Sequence, residues 1–420
     1  MKKYDEYKES GFGWIGEVPS LWNNLRLRFV CEFRNGYTPS KANPEFWEDG
    51  SIPWYRMEDI RETGRKLNEA KQYITKEAVK GGGLFEAGSF ILATTATIGE
   101  HAVLIVDSLA NQRFTNLKIR KSLEATLLRD YFYYYLFVID DYCKATTKTS
   151  TFPAVSMELL KNCHVVFPSP EQQQNIVDYL DKKCGEIDRV ISAQQKRIAL
   201  LQELKQSAIT HVVTKGLNPN VEMKDSGVEW IGEVPKHWEV CRFKDFISLK
   251  TDASISDVKI GLENIESKSG KFIETSTEFE GNGVAFAKAD VVYGKLRPYL
   301  QKVWLAEFDG NAVGDFFVFR AKRNSTPSFI KYLLLSDGFT KEADGSTVGA
   351  KMPRVSSNFI LTMHYCLPTK GEQHAIATYL DKKCASIDSS ISKAQHQVAL
   401  LQEYKQCLIT EVVTGKRKVC

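Results

Sequence analysis

Two stretches of this 420-residue chain are written twice. Glu9-Ser-Gly-Phe-Gly-Trp-Ile-Gly-Glu-Val-Pro19 returns as Asp225-Ser-Gly-Val-Glu-Trp-Ile-Gly-Glu-Val-Pro235, and each copy is followed by a further tryptophan, Trp22 and Trp238. Tyr179-Leu-Asp-Lys-Lys-Cys184 returns as Tyr379-Leu-Asp-Lys-Lys-Cys384. That likeness runs on through Ala199-Leu-Leu-Gln-Glu203 and Ala399-Leu-Leu-Gln-Glu403 to Val212-Val-Thr214 and Val412-Val-Thr414. Self-similarity on this scale constrains architecture before any single residue is interpreted. The first motif recurs after 216 positions and the second after 200, so the stretch between them is 16 residues longer in the first half. Between the repeated motifs, segments such as Gly36-Tyr-Thr-Pro-Ser40 and Leu296-Arg-Pro-Tyr-Leu300 show no counterpart in the other half. Two divergent globular pieces on one repeated scaffold is the order implied.

The scaffold reads as helix. From 171 to 213 the only Gly or Pro is Gly185, and Ile187, Ile191, Gln194, Ile198, Leu201, Leu204 and Ala208 follow at steps of three and four. Ile387, Ile391, Ala394, Val398, Leu401, Tyr404 and Leu408 repeat the stripe. A helix of about 40 residues with so narrow an apolar seam needs a partner with a matching seam, and the other copy supplies one. Pro168, Pro170 and Pro368 mark where each helix begins, and Lys215-Gly-Leu-Asn-Pro-Asn220 stops the first. The expected fold is mixed α/β: two small α/β domains separated by two long antiparallel helices that form a coiled coil, related by a pseudo-twofold internal repeat. The expected divisions are a first domain at 1–168, its helix at 169–215, a linker at 216–224, a second domain at 225–368, its helix at 369–415 and a basic tail at 416–420.

Composition narrows the class without naming it. Hydrophobic residues make up 43% and charged ones 26%, which suits soluble domains with ordinary cores. The start, Met1-Lys-Lys-Tyr-Asp-Glu, offers no apolar secretory stretch, and the most apolar run, 131–139, falls short of the roughly 20 residues of a membrane span. The nine cysteines form no Cys-x-x-Cys pair, so reduced core thiols in a cytoplasmic protein are expected rather than zinc or disulfides. A net charge of +4 is too mild to argue for nucleic acid by itself. No catalytic constellation stands out: there is no phosphate-cradling Gly-x-x-x-x-Gly-Lys-Ser/Thr, and Gly81-Gly-Gly83 reads as a turn. Asn43-Pro-Glu-Phe46 has the outline of the Asn-Pro-Pro-aromatic motif of amino-methylating DNA methyltransferases, but Glu stands at its third position. His101, His164 and His211 are scattered and read as structural.

At this point several segments carry a likeness. In the first half these are Gly36-Tyr-Thr-Pro-Ser40, Phe46-Trp47, Ile52-Pro-Trp54, Glu58-Asp-Ile60, Ile91-Leu-Ala-Thr-Thr-Ala-Thr-Ile-Gly99 and Asn111-Gln-Arg-Phe114. In the second they are Gly261-Leu-Glu-Asn-Ile265, Tyr293-Gly-Lys-Leu-Arg-Pro-Tyr-Leu300 and Val348-Gly-Ala-Lys-Met-Pro-Arg-Val355. Together with Pro168-Ser-Pro-Glu-Gln-Gln-Gln-Asn-Ile176 at the helix entry, in order and duplicated, they make the chain resemble the specificity subunits of type I restriction-modification systems over nearly its whole length. The second entry, Leu367-Pro-Thr-Lys-Gly-Glu-Gln373, lacks the second proline.

The resemblance implies two target recognition domains that read a split, asymmetric site on double-stranded DNA. It also implies partners, namely two methyltransferase subunits and ATP-dependent translocase/endonuclease restriction subunits. S-adenosylmethionine, ATP and Mg belong to those partners, leaving no cofactor, metal or catalytic residue in this chain. Within the matched motifs, polar, basic and aromatic loop residues are the candidate DNA contacts. In the first domain these are Tyr37, Thr38, Ser40, Lys41, Trp54, Arg56, Thr94, Thr95, Thr97, Gln112 and Arg113, with Lys148, Thr149, Ser150 and Thr151 as a second loop. In the second they are Asn264, Lys295, Arg297, Tyr299, Lys351 and Arg354. Trp14 and Trp230, present in both halves, are expected to be structural, since a base-reading residue should differ between them. Two other readings remain open: a coiled-coil adaptor that reads no DNA, and a subunit of a modification-only system.

Overall fold

The computed structural model describes residues 3–147, 154–254, 256–349 and 351–419. The chain forms two compact units, Met1–Ala193 with Gln397–Cys420, and Gln194–His396. Each unit therefore takes one globular domain, part of that domain's own long helix, and part of the other helix.

In the first unit the main sheet runs Cys31–Asn35, Phe114–Ile119, Phe90–Ala93, His101–Leu104, Lys66–Leu67, antiparallel except for the last pairing. Phe90–Ala93 and His101–Leu104 are buried at every residue, the pattern of strands covered on both faces. Helix Arg129–Thr146 lays Tyr131, Phe132, Tyr135, Leu136 and Ile139 into the core. A smaller sheet orders Leu109–Ala110, Ile52–Tyr55 and Tyr73–Ile74.

The second unit has a main sheet of Ile247–Lys250, Phe316–Ala321, Val291–Gly294 and Val303–Leu305, and a smaller one of Ala253–Ser254, Gly283–Phe286, Gly310–Ala312 and Lys259–Ile260. The first four strands of the first main sheet and the four strands of the second share one order and one register. Leu92 pairs with His101 and Thr115, and Tyr293 pairs with Val303 and Phe317. In the smaller sheets, Ala110 pairs in parallel with Tyr55 and Ala312 with Ile260. The segments between the repeated motifs thus do have counterparts, in backbone rather than in side chains. Register is set by ladder hydrogen bonds and by which face is buried, and many apolar side chains satisfy both, so the kinship leaves little trace in sequence.

The long helices are Pro170–Lys215 and Lys370–Val413. Ser169 Oγ and Thr369 Oγ1 accept from the Gln172 and Glu372 N–H groups, while the Glu372 carboxylate reaches back to the Thr369 N–H, as N-capping requires. Gly216 and Gly415, at φ 77° and 75°, take the left-handed turn after the last helical residues. The helices pack antiparallel. In the first unit Ile176, Leu180, Cys184, Ile187 and Ile191 share a core with Leu408, Ile409, Val412 and Val413, and Lys405 Nζ lies 2.7 Å from Asp188. In the second unit Ile209, Val212 and Val213 share a core with Ile376 and Leu380, and Lys205 Nζ lies 2.8 Å from Asp388.

The seam differs from expectation at one level. Ile187, Ile191 and Ile387 are buried, and Ile198, Leu201, Ile391, Val398 and Leu401 are half-buried, but Leu204 and Tyr404 are 49% and 52% exposed. From 201 and 401 the seam advances four residues, not three, and arrives at Lys205 and Lys405. Their stems cover the seam while their ammonium groups pair with the acid of the facing helix.

The repeated tryptophan motif secures helix ends. In the first unit Pro19 and Trp22 close on Gly415, and Tyr7 Oη donates to the Gly415 carbonyl at 3.0 Å. In the second, Pro235 and Trp238 close on Gly216, and Lys215 Nζ donates to the carbonyls of Ile231 and Glu233. Lys8 and Lys224 hold the Trp22 and Trp238 carbonyls at 2.9 and 2.7 Å. The last-turn carbonyls of Val413 and Val213 accept from Tyr131 and Tyr365, which satisfies groups a helix end otherwise orphans. At the helix starts, Gln173 donates to the Thr126 and Pro168 carbonyls and accepts from Leu128 N–H. Gln373 does the same with Asn324, Pro368 and Thr326. Both amides are fully buried.

Two predictions follow from these contacts. Gln373→Leu should leave three backbone groups without their partner, the Pro368 carbonyl buried and the other two part-buried, and lower stability by about 1–3 kcal/mol or more; a thermal melt unchanged from wild type would contradict this. The second concerns Asp388: burial pushes its carboxyl up, but hydrogen bonds and charge from Lys205 and Lys271 outweigh that and hold it below the usual range. The stabilisation is complete above the unfolded carboxyl value of about 3.9 and is lost as pH falls through the lower folded value. Asp388→Asn should therefore lower the urea midpoint at pH 7, with the gap to wild type closing in acid.

Candidate nucleic-acid interface

In the first unit the described candidate residues, apart from Trp54 within the strand Ile52–Tyr55, sit on loops gathered at the ends of the strands. Asn111 N–H donates to the Tyr55 carbonyl at 3.0 Å, Tyr37 N–H to Ala110 at 2.9 Å, and Thr94 N–H to Arg113 at 2.9 Å. These bonds join the loops carrying residues 36–41, 55–56, 94–97 and 111–113. Gly36 is required there because a Cβ would lie 2.2 Å from the Asn111 carbonyl oxygen. Ser40, Lys41, Gln112 and Arg113 are exposed, and Thr38, Arg56, Thr95 and Thr97 are half-buried. Thr38 Oγ1 donates to Gln112 Oε1, and Arg56 lies 3.2 Å from Glu58.

Three residues in this set have inward roles. Trp54 is 2% exposed, its indole N–H donates to the Tyr37 carbonyl at 2.9 Å, and Trp47 meets it edge-on. Tyr37 Oη is committed between the Ala78 carbonyl and the Lys80 N–H. Thr94 is buried, with its hydroxyl 3.2 Å from that of Thr115. These side chains brace the loops instead of presenting a free edge. Lys148, Thr149, Ser150 and Thr151 lie outside the described residues.

The second unit gathers its candidates in the same way. Lys295 N–H donates to the Asp315 carbonyl at 2.9 Å, Val355 N–H to Lys295 at 3.1 Å, and Arg297 N–H to Pro353 at 2.8 Å. Arg297, Tyr299, Lys351 and Arg354 are exposed and Lys295 is half-buried. Arg297 adopts φ 51°, a left-handed conformation uncommon for a side-chain-bearing residue. Arg354 makes a two-pronged pair with Asp315, 2.9 Å at each prong, and Lys295 Nζ stands 3.8 Å from the same carboxylate. The hydrogen bond from Arg354 leads the effects that hold the Asp315 carboxyl below its usual range, outweighing burial.

Asn264 departs from its expected role. It is 5% exposed, accepts from Gly261 N–H at 2.9 Å, and donates to the Ile273 carbonyl and Thr275 hydroxyl. Its counterpart in the first unit is Asp59, likewise buried, which accepts from the N–H groups of Arg56 and Lys71. A task performed in both units is structural by the criterion already applied to Trp14 and Trp230. Those tryptophans stack on Tyr142 and Tyr365. His101, buried 2.7 Å from Asp140 with Arg65 on the same carboxylate, is also a core group. Burial drives its pKa down against the pull of Asp140.

A family model described as the type I restriction modification DNA specificity domain matches residues 19–198. The EcoprrI specificity subunit of Escherichia coli is 44% identical over 165 residues, covering 38% of this chain and 41% of that relative's length. The MjaIX specificity subunit of Methanocaldococcus jannaschii is 24% identical over 439 residues, covering 99% of this chain and 97% of the relative. Residues 19–198 thus match the type I specificity domain, and the chain over nearly its whole length is similar to type I specificity subunits. A solved chain from a study of type I system assembly and conformational transition shares the fold, with a TM-score of 0.66 at 15% identity over 94% of this chain and 98% of that one. Among the described residues, no helix of the chain is long and apolar enough to cross a membrane.

Asp315 is not among the residues the sequence motifs single out, although an acid directly before the apolar strand Phe316-Phe-Val-Phe319 is a visible signal. Val348 and Met352, exposed beside the basic residues of their loop, are likewise outside that set. Asn264→Ala should cost stability by about 1–3 kcal/mol through orphaned buried groups, whereas exposed Gln112→Ala should stay within about 0.5 kcal/mol of wild type. Denaturant unfolding of the two variants distinguishes these roles.

Proposed function

We propose that this chain is the non-catalytic, DNA-sequence-reading subunit of a type I restriction-modification enzyme, in which each domain reads one half of an asymmetric bipartite site. The observation that carries the reading is the contrast within each unit. The backbone beneath the loops is common to both domains, whereas the side chains exposed on those loops differ. A common platform with unlike tips is what two unlike half-sites call for, since base edges are read by side chains and backbone geometry only brings them into reach. The spacing between half-sites is assigned to the long helices. A 46-residue helix is about 70 Å long at 1.5 Å per residue, ample against the roughly 34 Å of one DNA turn.

Methyltransferase subunits, with S-adenosylmethionine, and restriction subunits, with ATP and Mg, supply the chemistry in this reading. Exposed apolar residues at repeated helix positions, Leu200 and Leu204 in one copy and Leu400 and Tyr404 in the other, support two equivalent docking sites for a like pair of partners.

The test is binding of the complex reconstituted with its methyltransferase partners to DNA bearing its methylation motif, compared with scrambled DNA. Cognate preference is expected, together with affinity that falls as salt rises. Equal, salt-insensitive behaviour on both DNAs would leave an adaptor role instead. Arg297→Ala should weaken cognate binding by about 1–3 kcal/mol if its exposed guanidinium takes a base edge, and unchanged affinity would remove that assignment.

A further inference from the structure

The common register permits a position-by-position comparison of the two reading surfaces. Thr94 and Lys295 follow paired strand residues Ala93 and Gly294, while Arg113 and Asp315 precede Phe114 and Phe316, which pair with those residues. Thr94 N–H donates to Arg113 O as Lys295 N–H donates to Asp315 O, and Val155 N–H donates to Thr94 O as Val355 N–H donates to Lys295 O. Thr95 bridges to Ala154 and Leu296 to Arg354. Thr94, Arg113 and Ala154 therefore occupy the same three backbone positions as Lys295, Asp315 and Arg354, at the point where three loops are stitched together.

The chemistry at these positions is inverted. In the first unit one exposed guanidinium, Arg113, has no side-chain partner among the described residues, and its neighbours at the other two positions carry no charge. In the second unit the central position is a carboxylate, gripped by Arg354 through both oxygens and faced by Lys295. Each carboxylate oxygen used by Arg354 retains a second lone pair, and Asp315 is 21% exposed, so it can still accept from a ligand. Orienting it with a guanidinium fork reduces the number of rotamers that must be frozen when DNA arrives.

We propose that the position shared by Arg113 and Asp315 is a specificity-determining position in both domains, read with opposite hydrogen-bond polarity. Arg113 donates to an acceptor edge, such as guanine O6 and N7. Asp315, positioned by Arg354, accepts from an exocyclic amino group, either cytosine N4 or adenine N6. This inference rests on the DNA-reading function above and adds which residue distinguishes the two half-sites.

The test maps methylated motifs made in cells by the full complex carrying wild-type chain, Asp315→Asn or Arg113→Gln. A wild-type complex that marks no defined bipartite motif would defeat the underlying function and needs no variant to show it. Given a wild-type motif, Asp315→Asn should change or relax one base position in one half-site, with discrimination there falling about 5- to 150-fold, and leave the other half-site intact. Arg113→Gln should do the same in the opposite half. A relaxed C·G position for Asp315 identifies cytosine as its target, and a relaxed A·T position identifies adenine. Motifs unchanged from wild type, or equal loss of both half-sites, would overturn the proposal. If Asp315→Asn fails to fold, the Arg113→Gln arm decides alone, because that exposed side chain holds no partner among the described residues.

Discussion

A helix of more than 40 residues with an apolar stripe only a few side chains wide cannot persist alone in water, and the remainder of this structure depends on how that stripe is covered. Each unit contains the opening turns of one long helix and the closing turns of the other, sharing a core with one globular domain. Neither domain's core is complete without residues from the other half of the sequence. Val412 and Val413 lie in the core of the first domain, and Val212 and Val213 in that of the second. The Lys405–Asp188 and Lys205–Asp388 pairs repeat the same contact in both units. Of the four side chains only Lys205 is buried, so removing Asp388 would leave an uncompensated buried charge.

The two ends of each helix are secured by different means. At the start, a buried glutamine binds the helix to the chain entering its domain. At the finish, a glycine turn is covered by the tryptophan hairpin, and the last carbonyl accepts from a tyrosine. The two tyrosines come from different elements, Tyr131 from a helix and Tyr365 from a strand. The requirement to satisfy a buried carbonyl is the same in both units, while the route to it diverged.

The loops show the reverse relation, with common backbone and divergent chemistry. Buried polar groups that stitch the loops, such as Asp59 and Asn264, perform one task with different residues. The loop ends carry unlike charges: an exposed Arg113 whose guanidinium has no partner among the described residues in one unit, and a half-buried Asp315 carboxylate between Lys295 and Arg354 in the other. Under the proposed function, separating the stitching residues from the exposed ones would let the latter vary with little effect on the strands beneath, as is general for loops held by a rigid scaffold.

Much of this was legible in the sequence. The repeat, the 3.6-residue periodicity and the proline and glycine punctuation determine two long helices, their approximate ends and two α/β domains, because these signals are local or recur at fixed spacing. The step from Leu201 to Lys205 was not legible, since apolar Leu204 looks the better seam residue until Asp388 is seen facing the lysine. Nor were the inward roles of Trp54 and Asn264, because a residue type suited to touching DNA is equally suited to bracing a loop. The shared register of the two sheets was hidden for a related reason. Backbone hydrogen bonds fix it, and they are indifferent to which apolar side chain they carry, so only the tertiary structure could align Arg113 with Asp315.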